Sequence, residues 1–133
     1  METANNIQQK RVLIVDDEPS VTMTLAGILE KLGDAYLIET TNTSSDVLPR
    51  LQQTDYALMI TDYKMPGMDG IDLAQAVQDI SPQTRVILMT AYGSRGLSET
   101  IHNLHLAGYL DKPFSVAQIR EMVTQVLECG YGN

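Results

Sequence analysis

Five short apolar runs, each delivering the chain to polar or turn residues and four of them followed by helical spacing and the fifth by a helix-capping pattern, leave this sequence few ways to fold. The best defined is Tyr56–Ile60, which continues through Thr61 to Asp62 and then meets turn chemistry at Pro66, Gly67, Asp69 and Gly70. An almost unbroken apolar run of that length reads as a strand covered on both faces that stops at an exposed loop. Arg11–Asp16 is a similar run and ends in Asp16, Asp17 and Glu18. Ala35–Glu39 is a second strand, Arg85–Thr90 a fourth, and Tyr109–Asp111 a short fifth that reaches Lys112 and Pro113.

The intervening segments carry helix signals. Pro19 suits a first helical turn, where its missing N–H costs nothing, and Val21, Leu25, Ile28, Leu29 and Leu32 follow up to Gly33. Thr40–Gln53 has helical alternation, but Pro49 predicts that this helix is short, kinked or late in starting. Ile71, Ala74, Val77 and Ile80 mark a third helix that stops before Pro82, and Leu97, Ile101 and Leu104 a fourth, weakened at its start by Gly93 and Gly96. Ser115 and Gln118 form a capping-box pattern with Phe114 and Ile119 as its staple. The last helix is expected to turn Val116, Ile119, Val123, Val126 and Leu127 inward and to end near Gly130.

Strands alternating with helices specify an α/β fold: a flavodoxin-like (βα)5 open parallel sheet with helices on both faces. Right-handed crossovers favour the strand order 2-1-3-4-5, which places the first and third strands side by side. The expected organisation is a flexible arm over residues 1–10, one domain over 11–129 and a short tail over 130–133.

Composition narrows the function. A domain of 133 residues buries a sizeable core without disulfides, and the single Cys129 can form no internal one. Residues 1–10 lack an apolar centre and no apolar run approaches membrane-spanning length, so neither a signal peptide nor a membrane helix is expected, and the protein is read as cytoplasmic. With 17 acidic against 9 basic residues the net charge is −8, which argues against direct nucleic-acid binding.

If the first and third strands are neighbours, Asp16, Asp17 and Asp62 emerge at one edge, and three carboxylates there call for a cation. Oxygen-only ligands point to Mg²⁺, with Mn²⁺ the alternative. His102 and His105 lack a third soft ligand and read as surface or cap residues. Thr90 and Lys112, at the ends of the fourth and fifth strands, add a hydroxyl and an ammonium. A carboxylate nucleophile, a divalent cation, a point positive charge and a hydroxyl donor make a phosphoryl-transfer set.

From about Arg11 to Glu128 the chain resembles a response-regulator receiver domain of two-component signalling. The resemblance rests on Asp16-Asp17, the loop from Asp62 through Met-Pro-Gly-Met-Asp-Gly, Thr90-Ala91, Tyr109 and Lys112-Pro113-Phe114. It implies that Asp62 is the phosphoacceptor, fed by a sensor histidine kinase or phosphotransfer protein, and that the only catalysis is transfer to, and hydrolysis from, Asp62. Asp17, Asp62 and the Lys64 backbone carbonyl would bind Mg²⁺ directly and Asp16 through water. Lys112, the Thr90 hydroxyl and backbone N–H groups near Tyr63 and Ala91 would grip the phosphoryl oxygens. It further implies a cis Lys112-Pro113 peptide and a switch in which Thr90 moves toward Asp62 and Tyr109 turns inward. That switch would remodel the surface of the fourth helix, fifth strand and fifth helix for a downstream protein or effector domain. A homodimer fits the family. His105-Leu106 stands where many receivers carry Gly-Ala, and Tyr92 is placed to shield an acyl phosphate from water.

Three other readings fit less well. A haloacid-dehalogenase-like phosphatase needs a second Asp two residues after its nucleophile, and counting from Asp16 that place holds Glu18. A flavin carrier needs hydroxyls and N–H groups where this chain is acidic. An interaction module that signals without phosphorylation would be a degenerate receiver, and the presence of all the expected site residues argues against that reading.

Overall fold

Which residues pair, and in what order, decides whether the acidic groups meet. The computed structural model describes residues 9–91 and 104–128. Its strands are β1 (Lys10–Val15), β2 (Tyr36–Thr41), β3 (Leu58–Asp62), β4 (Arg85–Thr90) and β5 (Gly108–Asp111). They form one parallel sheet in the order β2-β1-β3-β4-β5, the order expected of this flavodoxin-like fold.

Successive residues of each strand point to opposite faces, and here both faces are covered, which is why the strands read as continuous apolar runs. Val12, Ile14, Leu58, Ile60, Ile87, Met89 and Leu110 pack against α1 (Pro19–Glu30) and the C-terminal helix (Val116–Glu128). Leu13, Val15, Met59 and Val86 pack against α2 (Val47–Gln53) and α3 (Gly70–Ile80). Among the described residues two helices on each face pin the sheet, and the strand ends are left to carry the chemistry.

Several boundaries differ from the sequence expectation. β1 stops at Val15, so Asp16 lies just beyond the strand. β2 runs on to Thr41 because Thr40 and Thr41, β-branched and comfortable in a strand, pair with Ile14 and Val15. The helix expected from Thr40 therefore starts late, through a 3₁₀ turn at Ser44–Asp46 followed by α2. Pro49 is the third residue of α2, among the first N–H positions that have no acceptor inside a helix anyway. The proline thus sets where the helix begins rather than kinking it.

Pro19 opens α1 as expected, and Gly33, at φ 124°, takes the turn beyond its end. At the C-terminal helix the capping box forms in both directions. The Ser115 N–H donates to Gln118 Oε1 at 2.7 Å and the Gln118 N–H to Ser115 Oγ at 3.0 Å. Val116, expected inward, is exposed, and Phe114, entering ahead of the cap, packs on the same core as Ile119 instead. Ser115→Ala is expected to cost about 1 kcal/mol, read as a lower urea midpoint at unchanged slope.

The described part of this helix runs to Glu128, where Lys10 Nζ donates to the Leu127 carbonyl at 2.6 Å and the Tyr36 hydroxyl bonds the Glu128 carboxylate. The expected fourth helix before Leu104, Tyr92, His102, Cys129, the C-terminal tail and residues 1–8 lie outside the described residues. Among the described helices none is long and apolar enough to cross a membrane.

Candidate functional site

The register of β1 with β3 pairs Val15 with Thr61, so Asp16 and Asp62 leave the sheet beside one another. Asp16, Asp17 and Asp62 each place a carboxylate oxygen within 4.8 Å of the others. Asp16 is fully buried, Asp62 is mostly buried and Asp17 is exposed. From β5, Lys112 reaches across the sheet end. Its Nζ lies 2.9 Å from Asp62 Oδ1 and 3.4 Å from Asp16 Oδ2.

Asp16 is held from several sides. Its Oδ1 accepts the Glu18 N–H at 2.9 Å, and its backbone carbonyl accepts a hydrogen bond from Asn42 Nδ2 at 2.8 Å. Burial pushes its carboxyl above the ordinary value, and the Asp62 charge adds to this. The Glu18 N–H and Lys112 only partly offset the rise. For Lys112, burial alone would lower the ammonium, but the hydrogen bond to Asp62 and the charges of Asp62 and Asp16 outweigh it. The net shift is upward, so the side chain stays cationic.

α3 comes unusually close to the nucleophile candidate. Gly70 opens the helix, its N–H donates to the Tyr63 carbonyl at 2.8 Å, and a Cβ placed on it would lie 2.3 Å from the Asp62 carbonyl oxygen. Asp69 caps the helix by accepting the Asp72 N–H at 3.0 Å. In the sequence Gly70 shows as a turn residue and as the last glycine of the loop motif, with nothing to signal its close approach to Asp62, and Asn42 carries no signal beyond being polar and just past a strand.

The remaining expected residues fall around the same end of the sheet. Thr90 closes β4 and is fully buried, one residue beyond Met89, the register partner of Asp62. Ala91 follows at the surface. Lys64 is exposed, its Nζ 5.4 Å from the centre of the Tyr63 ring. Tyr109 lies in β5 with its side chain exposed, and His105 is exposed before that strand. The Lys112-Pro113 peptide is cis, as expected. The Tyr63 N–H donates to the Met89 carbonyl at 2.8 Å, extending the ladder by one rung beyond Asp62.

The acidic group suits a small hard cation. Neighbouring and opposite ligands of an octahedral Mg²⁺ stand about 3.0 and 4.2 Å apart, given bonds of about 2.1 Å. Three oxygens within 4.8 Å need little inward movement to reach those separations. No histidine or cysteine joins the group among the described residues, which favours Mg²⁺ over zinc.

The model of the response regulator receiver domain matches residues 12–124. This chain belongs to the receiver-domain family. Receiver domains are phosphorylation-activated signalling switches rather than conventional enzymes, and they bind Mg²⁺ at an Asp cluster. Among curated relatives, the response regulator receiver protein CpdR of Brucella abortus is 30% identical over 117 residues, covering 88% of this chain and 93% of its own. Sporulation initiation phosphotransferase F of Bacillus subtilis is 30% identical over 121 residues, covering 91% of this chain and 96% of its own. Among solved structures, the response regulator TrrA of Thermotoga maritima, in complex with Mg(2+)-BeF, superposes with TM-score 0.79 at 29% identity, covering 90% of this chain and all of the other.

Proposed function

We propose that this receiver takes a phosphoryl group from a phosphohistidine, on a sensor kinase or a phosphotransfer protein, onto the Asp62 carboxylate. The observation that carries this reading is Lys112 Nζ set 2.9 Å from Asp62 beside two further carboxylates. An Asp62 oxygen attacks phosphorus, the O–P bond forms as the P–N bond breaks, and the imidazole leaves with the electron pair. In-line attack needs little covalent help from the protein, so catalysis is positioning and charge.

Asp17, Asp62 and the Lys64 carbonyl would hold Mg²⁺, with Asp16 acting through a bound water. When bound, Mg²⁺ supplies the positive charge that lets the negative phosphoryl oxygens approach three carboxylates. Lys112, already pointed at Asp62, moves its ammonium onto a phosphoryl oxygen. The Thr90 hydroxyl and the Ala91 N–H, at the end of β4, take the other oxygens. Water later hydrolyses the acyl phosphate and restores Asp62.

The output follows from these contacts. A phosphoryl group on Asp62 draws Thr90 toward it, Tyr109 leaves its exposed position for the vacated space, and the face made by β5, the C-terminal helix and the fourth helix expected from the sequence changes. A downstream protein or effector domain reads that face.

The test is incubation with acetyl phosphate and Mg²⁺ followed by intact-mass measurement. The parent is expected to gain the mass of one phosphoryl group. Asp62→Asn, or the parent in a chelator, is expected to gain none. An equal gain by the Asp62→Asn protein would overturn the assignment of the phosphoacceptor.

A further inference from the structure

The ladder between β1 and β2 ends where the acidic pair begins. Val15 pairs with Thr41, and the Asp16 N–H makes one more rung to the Thr41 carbonyl at 3.3 Å. In a parallel ladder the next rung would run from the Thr43 N–H to the Asp16 carbonyl. The chain does not make it, because the Thr43 N–H turns to Thr41 Oγ1 at 3.3 Å. The side chain of Asn42 takes its place, its Nδ2 donating to the Asp16 carbonyl at 2.8 Å.

The same amide nitrogen donates to Thr22 Oγ1 at 3.1 Å, and that hydroxyl donates to the Pro19 carbonyl at 3.1 Å. Asn42 therefore ties three things together: the end of β2, the first turn of α1, and the peptide joining Asp16 to Asp17. The plane of that peptide sets where the Asp17 side chain leaves the backbone. Asp16 itself is held by the Glu18 N–H and Lys112, but among the described residues the Asp17 carboxylate makes no hydrogen bond.

We infer that Asn42 is a positioning residue that fixes the Asp16–Asp17 peptide and thereby the aim of Asp17 toward the cation. The inference rests on the proposed Mg²⁺ site. An amide is suited to the task because it donates without adding charge. An aspartate there would set a carboxylate oxygen against a carbonyl oxygen and add a fourth negative charge near the group. Groups that orient metal ligands in this indirect way change affinity by about 10- to 100-fold when removed.

The experiment is Mg²⁺ titration by isothermal calorimetry of the parent, Asn42→Ala and Thr22→Val, each checked for folding by circular dichroism and thermal melting. Asn42→Ala is expected to bind Mg²⁺ about tenfold more weakly, and Thr22→Val, which leaves the Asn42–Asp16 bond but removes its brace, about twofold to threefold more weakly. A merely structural role would lower the melting temperature of Asn42→Ala and leave the affinity of the folded protein unchanged. Affinity of folded Asn42→Ala within twofold of the parent overturns the inference. Should Asn42→Ala not fold, unchanged affinity in Thr22→Val does the same. A parent that takes up no Mg²⁺ overturns the metal site beneath it, an outcome distinct from a parent that binds and variants that match it.

Discussion

Gly70→Ala is expected to cost about 3 kcal/mol and to slow phosphorylation of Asp62, two losses from one added methyl group. The new Cβ would sit 2.3 Å from the Asp62 carbonyl oxygen, 2.9 Å from Leu88 Cδ1 and 3.0 Å from Tyr63 Cα. Two of those three neighbours are backbone, so no side-chain rotation relieves the clash. Either α3 withdraws from the sheet, breaking the bond from the Gly70 N–H to the Tyr63 carbonyl, or the end of β3 shifts and takes Asp62 with it. A loss of that size lowers the melting temperature by roughly 10–15 °C in a domain this long. Gly27→Ala is the control. Gly27 lies within α1 with nothing within 4 Å of its added Cβ, so the substitution is expected to stabilise by about 0.4–1 kcal/mol and leave phosphorylation alone. Melting curves and phosphorylation time courses for the two variants check this. A Gly70→Ala protein that melts with the parent would show that α3 does not press closely on the end of β3.

The fold was legible because each strand is buried on both faces. That turns it into a short apolar run that survives as a pattern without any partner in view, and the runs at Arg85–Thr90 and Leu58–Asp62 fall close to where they were expected. Local signals with a complete mechanism were also reliable. Ser115 with Gln118 closes its box, and Pro19 stands at the first position of α1. The misses came where tertiary pairing decided. Thr40 and Thr41 are polar enough to read as the end of a strand, but Ile14 and Val15 across the ladder keep them in it. Val116 keeps the spacing of the inner stripe, but at the head of its helix it remains exposed.

The acidic cluster was legible because strand order alone brings Asp16 beside Asp62, and Lys112 follows from the end of β5. Asn42 and Gly70 were not. One acts through its amide on a backbone carbonyl, the other through the absence of a side chain, and neither action has a sequence pattern.

Mg²⁺ is expected to stabilise the domain at pH 7.5, by about 2.7 kcal/mol when present at a hundredfold its dissociation constant, and Asp16→Asn is expected to remove much of that gain. In the cation-free protein burial raises the Asp16 carboxyl above its ordinary 3.8, and the Asp62 charge adds to the rise. The sign follows from which state holds the proton longer. Unfolded Asp16 loses its proton near the ordinary value, while folded Asp16 keeps it to higher pH. The group therefore favours the fold below that value, and the contribution is lost as pH rises through the raised folded value. At neutral pH the cation-free domain carries a charged Asp16 at a net cost, even with Lys112 Nζ 3.4 Å away. Asparagine in its place carries no charge to desolvate, so in chelator at pH 7.5 Asp16→Asn is expected to melt above the parent. Near pH 4 the two melting temperatures converge. For the parent, the Mg²⁺ gain shrinks as the pH falls, because binding must then displace a proton. Thermal melts of both proteins from pH 4 to 8, with Mg²⁺ and with chelator, read all of these directions. If Asp16→Asn instead melted below the parent in chelator at pH 7.5, the attraction between Asp16 and Lys112 would outweigh the burial of the carboxylate, and the cation-free site would be held together rather than strained by its charges.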